Sequence, residues 1–110
     1  MRKNLTEEEI LSHGFVDCGK PQFGSADKFY QKCYKDEDRS RKYFLDIYHY
    51  TLTHPTTRED LSGYELETQL YLKGTHEAVN MTFLNDDIDA AEEFINKLFE
   101  LDMLDYYERD

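Results

Sequence analysis

Two runs of strict period-two alternation stand side by side in residues 64–84, and nothing else in the chain limits its fold as sharply. Tyr64, Leu66, Thr68, Leu70 and Leu72 alternate with Glu65, Glu67, Gln69 and Tyr71; Val79, Met81 and Phe83 then alternate with Asn80 and Thr82. Successive side chains of a strand point to opposite faces, so the pattern predicts an antiparallel hairpin with one apolar face. Its joint, residues 73–77, has hairpin length and holds Gly74. A sheet that is apolar on one side must have that side covered, and the flanking segments have to supply the cover.

Both flanks read as helices. Thr6 and Glu9 stand in capping-box spacing, Leu5 and Ile10 are placed as a hydrophobic staple, and Gly14 supplies a left-handed stop, so a short helix is expected over residues 7–13. Fewer than three turns are unstable alone, so Ile10 and Leu11 must borrow stability from a core. After the hairpin, the acidic run 86–89 favours a helix start, with Asp89 and Glu92 again in capping-box spacing. A helix is expected from residue 90 to beyond residue 104. Its apolar stripe would be Ala91, Phe94, Ile95, Leu98 and Leu101. The acidic, tyrosine-bearing tail 104–110 is expected to fray.

Between the helices, residues 15–18 form a short extended piece, and Gly19, Pro21, Gly24 and Ser25 mark a loop to residue 27. Residues 28–34 fit a strand whose inward face is ambiguous. The charged run 35–41 is a solvated turn. Residues 42–52 form a central strand with Tyr43, Leu45 and Ile47 on one face and Phe44, Asp46, Tyr48 and Tyr50 on the other. The first face is the buried one, because Asp46 would be costly in a core. Residues 53–63, with Pro55 and Gly63, read as a longer loop. The expected fold is therefore α+β, one domain over residues 1–110, in the order α-β-β-β-β-α. A four-stranded antiparallel meander carries a short N-terminal helix and a long C-terminal helix on one face.

Charge narrows the partners. Twenty-four acidic residues against 13 basic ones give a formal net charge of −11, which argues against direct binding to nucleic acid or to an anionic membrane. No apolar run approaches the roughly 18 residues of a membrane span, and Met1-Arg2-Lys3 leads into Glu7-Glu8-Glu9 rather than an apolar signal core, so a cytoplasmic protein is expected. Cys18 and Cys33 then read as two thiols, with Cys33 a small core residue among Phe29, Tyr30 and Tyr34.

Templates for chemistry do not fit. Lys73-Gly74-Thr75 has one glycine where a phosphate loop needs several. From Asp87, the third ligand position of a calcium loop falls on Ala91 and its glycine position on Glu92. Cys18, Cys33, His13, His49, His54 and His76 show no metal-ligand spacing. No strained turn presents either thiol as a nucleophile. Glu65 and Glu67 share a face with no apolar pocket to separate their pKa values. No catalytic, metal or cofactor residue is assigned.

What stands out is the face turned away from the helices. It would carry Phe44, Tyr48, Tyr50 and Tyr71 with Asp46, Glu65, Glu67 and Gln69, and tyrosine is well suited to recognition surfaces. The expected function is a non-enzymatic acidic binding protein that docks on a basic surface of another protein, in its sharpest form mimicking nucleic-acid phosphates to block a nucleic-acid enzyme. The candidate partner-binding residues are Phe44, Asp46, Tyr48, Tyr50, Glu65, Glu67 and Tyr71. Two alternatives stand beside it: a structural protein that self-associates through the open face, and a small enzyme with a Cys/His site assembled by the fold. An ordinary solvated sheet, or a face partly covered by residues 15–27, would leave no docking site. The chain is expected to be a monomer or weak homodimer.

The start Leu5-Thr6-Glu7-Glu8-Glu9-Ile10-Leu11 running into Gly14-Phe15, the tyrosine-rich strands and the closing Ile88-Asp89-Ala90-Ala91-Glu92-Glu93-Phe94 helix resemble small uncharacterised phage and prophage proteins of gut bacteria. The resemblance covers most of the chain in layout and rests on capping and patterning. It implies a small α+β fold and a phage or mobile-element setting, in which compact acidic proteins act as host-takeover or anti-defence inhibitors, anti-CRISPR proteins among them. It transfers no functional residue.

Overall fold

The computed structural model describes residues 5–36, 41–75, 77–80 and 87–106. Chain order is α1 (Glu7–Ser12), β1 (Val16–Gly19), β2 (Lys28–Asp36), β3 (Arg41–Tyr50), β4 (Gly63–Leu72), β5 (Ala78–Asn80), α2 (Ile88–Glu100) and β6 (Leu104–Tyr106). The strands from β1 to β5 lie side by side in sequence order, each antiparallel to the next. This is the α+β layout expected from the alternation, widened by a short strand at each end of the chain. Met81 and Phe83 of the expected second hairpin strand, His76 and residues 37–40 of the charged turn lie outside the described residues.

Register decides the two faces. In β2 and β3, Tyr30 lies opposite Ile47, Lys32 opposite Leu45 and Tyr34 opposite Tyr43; in β3 and β4, Ile47 lies opposite Leu66. These positions share one face, as directly opposed residues must. Leu45, Ile47, Leu66 and Leu70 are buried there with Val79 of β5 and with Ile88, Ala91, Ile95 and Leu98 of α2. Both helices therefore cover the face bearing Tyr43, Leu45 and Ile47, the face expected to be buried. Lys28 and Lys32 also sit at positions on this face. Lys28 donates to Glu7 Oε2 at 3.0 Å and Asp17 Oδ2 at 2.8 Å, and Lys32 approaches Glu92 Oε2 at 3.4 Å. Their stems lie along the layer while their ammonium groups stay paired at its margin.

The first helix begins as its residues dictate: Thr6 caps it by accepting from the Glu9 amide, and Leu5 and Ile10 are both buried. It ends at Gly14, whose φ of +91° allows the Gly14 amide to reach the Leu11 carbonyl and the Phe15 amide the Ile10 carbonyl. That pairing closes a helix end with a residue in the left-handed region.

The second helix departs from expectation at both ends. Its N-cap is Asp87, whose side chain accepts from the Ala90 amide at 2.9 Å, while Asp89 lies in the first turn. It stops at Glu100 rather than running past residue 104. Asp102 takes a left-handed φ of 55°, its amide bonds to the Phe99 carbonyl, and the Met103 amide bonds to the Leu98 carbonyl. This is the same closing motif as at Gly14, made by an aspartate, which tolerates that conformation better than most residues. Leu101, expected in the buried stripe, becomes the C-cap and is 57% exposed. Phe99 replaces it, packing on the core with its ring 5.3 Å from Tyr43.

The stop at Asp102 lets residues 104–106 return to the sheet, where fraying was expected; residues 107–110 of the tail lie outside the described residues. Pairing of β3 with β4 ends at Leu45 and Thr68, and the next stretch of β4 pairs with β6: Leu70 opposite Tyr106, Tyr71 opposite Asp105, and Leu72 opposite Leu104. Tyr71 also pairs with Ala78, so β6 occupies the β3 side of β4 and β5 the other. Leu104 is 0% exposed.

Candidate docking face

The face away from the helices is built by the alternate positions of the same strands. Across β2 and β3, Phe29 lies opposite Tyr48, Gln31 opposite Asp46 and Cys33 opposite Phe44; across β3 and β4, Asp46 lies opposite Glu67, Tyr48 opposite Glu65 and Tyr50 opposite Gly63. None of Phe29, Gln31, Phe44, Tyr48, Tyr50 and Glu65 is fully buried, and Glu67 is exposed. The face is thus open over β2, β3 and β4, and Phe23, in the segment considered as a possible cover, is itself 83% exposed.

Of the seven residues singled out from the sequence, five form one block: Asp46, Tyr48, Tyr50, Glu65 and Glu67. Phe44 borders it, two residues along β3 from Asp46. Tyr71 shares the face but stands four residues along β4 from Glu67, about 13 Å away at the usual strand rise, beyond the end of the β3 pairing.

Asp46 is a correction. Expected on a wet surface, it is only 6% exposed. Gln31 donates its Nε2 amide to Asp46 Oδ1 at 2.9 Å, and the Tyr48 hydroxyl lies 3.5 Å from Oδ2. A carboxylate can be submerged among the rings of an otherwise open sheet when neighbouring donors replace its water. Its charge is felt nearby. Desolvation, then the charges of Asp46 and Glu67, push the Tyr48 phenol up to about 12. Desolvation, then the carboxylates of Glu65 and Asp46, raise Glu67. Tyr50 is raised by desolvation and by Glu65 and Glu67.

Phe29 and Gln31 are members of this face that the sequence left unassigned. Phe29 stacks on Tyr48 with ring centroids 5.6 Å apart and planes at 15°. The β2 alternation alone does not say which side is inward; a symmetric hairpin about residues 37–40 would have placed Phe29 opposite Tyr48. On the β1 edge the face gains exposed Val16 and Cys18. Cys33 also belongs here and is exposed, not a core residue as its aromatic neighbours suggested, because its strand position alternates with buried Tyr30 and half-buried Tyr34. Desolvation and the charges of Asp46 and Asp17 raise the Cys18 thiol, which makes it a poor nucleophile.

His13, Asp89 and Glu92 bring potential ligand atoms within 4.8 Å of one another where the two helices meet. Glu92 already faces the Lys32 ammonium, and His13 Nε2 lies 3.1 Å from Asp89 Oδ1, so the group forms an interhelical clasp. His49 is held through Nδ1 by Asp27 Oδ1 at 2.7 Å and packs on Tyr64, as a hydrogen-bonded strand residue would. A shallow hollow along α2, with Asp89, Phe94, Lys97 and Glu100 in its lining, includes neither cysteine nor histidine.

No protein-family model, curated protein or solved structure matches this chain. Among the described residues, no helix is long and apolar enough to cross a membrane.

Proposed function

We propose that the chain is a non-enzymatic binding protein whose open, acidic and tyrosine-bearing face docks on a basic surface of another protein. The observation that carries this reading is the pairing of Asp46 with Glu67 in register, with Glu65 one pair further along; the lysines whose strand positions fall on this face, Lys35 opposite Lys42, stand at its far end, four residues along β3 from Asp46. Like charges placed directly opposite destabilise a sheet. A surface that keeps them beside aromatic area suits a cationic partner. The nucleic-acid-mimic form, with a phage or mobile-element inhibitor as its setting, follows from the same charge pattern, since surfaces that bind phosphates reward such an array.

The test is capture of a basic partner by immobilised protein at rising salt. Capture should weaken steeply between about 0.05 M and about 0.5 M salt, as the screening length shortens, and the Glu65→Gln, Glu67→Gln double variant should release it. If the partner binds nucleic acid, duplex DNA should compete. A partner retained at high salt and by the double variant would overturn the reading. A chain that only self-associates, losing its dimer on Tyr48→Asp, would replace it with the structural alternative.

A further inference from the structure

We infer that this face contains a slot for an arginine side chain, between the Tyr48 ring and the carboxylates of β4. The inference deepens the docking reading and rests on it by naming the group the face receives. Phe29 covers one side of the Tyr48 ring in a near-parallel stack. The opposite side turns toward β4, where register places Glu65 across from Tyr48 and Glu67 across from Asp46. A flat aromatic wall thus stands beside two carboxylates on the adjacent strand. Asp46 stays behind them, held by Gln31, and adds negative charge without being free to leave.

A guanidinium fits this arrangement better than an ammonium. It is planar, stacks on an aromatic face while its edge forks to carboxylates, and is the more weakly hydrated of the two cations. The chain's lysines at 28 and 32 are engaged on the helix side with Glu7, Asp17 and Glu92. Among the described residues no Lys or Arg lies within ion-pair distance of Glu65 or Glu67. On the helix side the chain pairs its own opposite charges; on this face its lysine positions, Lys35 opposite Lys42, lie at the far end of β2 and β3, four residues along β3 from Asp46 and further still from Tyr48.

The experiment is an amide-resolved NMR titration of the full chain at low salt, with N-acetyl-arginine methylamide and, separately, its lysine counterpart. Expected are shifts centred on Tyr48, Glu65 and Glu67, and an affinity about threefold or more higher for arginine. Tyr48→Leu, which keeps apolar bulk but removes the ring, should erase that preference, and Tyr48→Phe should retain it. The spectrum of each variant reports whether it folds. Equal affinity for the two amides, shifts centred elsewhere, or an arginine preference unchanged in Tyr48→Leu would overturn the slot. If salt-sensitive protein capture survives such a result, the docking reading stands and the slot alone fails. An arginine preference without any salt-sensitive capture keeps the slot and removes the docking reading.

Discussion

Asp46 and Glu67 face each other across β3 and β4, two carboxylates in register on the same side of a sheet. Opposed like charges cost a sheet roughly 0.2 to 1 kcal/mol, so Glu67→Gln should stabilise the chain by an amount in that range. The sign of its pH dependence is the reverse of an ordinary ion-paired glutamate. Desolvation and the neighbouring charges raise the folded-state pKa of Glu67, so the folded chain takes up its proton before the unfolded chain does. The penalty is then present in full above the raised folded value and relieved as pH falls through it toward the unfolded value near 4.3. Urea midpoints at pH 7 and pH 5 should converge between wild type and Glu67→Gln as the pH is lowered. A gap that widens at pH 5 would contradict the geometry.

His13 supplies the opposite dependence. Its Nδ1–H donates to the Glu9 carbonyl at 2.8 Å and its Nε2 faces Asp89. The backbone hydrogen bond to Glu9 raises its pKa most; desolvation opposes it, and Asp89 and then Glu92 add to the rise. A raised histidine contributes stability that is complete below its unfolded value near 6.5 and is lost as pH rises through the folded value. Stability should therefore decline as pH rises from about 6 to about 8, by less than about 1 kcal/mol because Asp89 is exposed. His13→Gln should flatten that decline, followed by chemical denaturation across the same interval. A decline of equal size in the variant would assign it to another group.

Leu104 tests the returning tail. It is fully buried opposite Leu72, whereas Leu101, three residues earlier, is mostly exposed. Leu104→Ala should cost about 2 to 5 kcal/mol, and Leu101→Ala should stay within about 0.5 kcal/mol. Thermal or urea unfolding of the two variants checks this directly. Equal small effects would mean that the tail does not close the sheet.

The layout was legible because its signals are local. Alternation in 64–72 and 42–50 fixed which side of each strand is apolar, and Thr6, Glu9 and Gly14 bracketed the first helix without any tertiary information. What was missed depended on distant partners. Asp46 reads as a surface residue until Gln31 and the Phe29–Tyr48 ring pair close around it. The face of β2 stays ambiguous until its hairpin register with β3 is known. The end of α2 is hidden because Asp102 adopts a conformation usually signalled by glycine, so an apolar pattern that looks continuous past residue 101 is cut by the backbone. In the candidate face, five of the seven chosen residues came together because one alternation and one register place them there; Tyr71 did not join them, because β6 displaces β3 from that end of β4.

The start of α2 separates two aspartates that the sequence makes look interchangeable. Capping-box spacing favours Asp89, yet Asp87 has the extended backbone of a cap and accepts from the Ala90 amide, while Asp89 turns to His13. An aspartate cap is typically worth about 0.5 to 2 kcal/mol, because it satisfies an amide that the helix leaves without an internal partner. Asp87→Ala should therefore lower stability by about that amount at both pH 6 and pH 8, and Asp87→Ser should recover most of the loss. Asp89→Ala should act chiefly through His13, so its effect should be larger at pH 6 than at pH 8. Urea titrations of the three variants at both pH values distinguish the roles. If Asp89→Ala proves the costlier change at pH 8, where the histidine contribution has faded, the helix starts at Asp89 and not at Asp87.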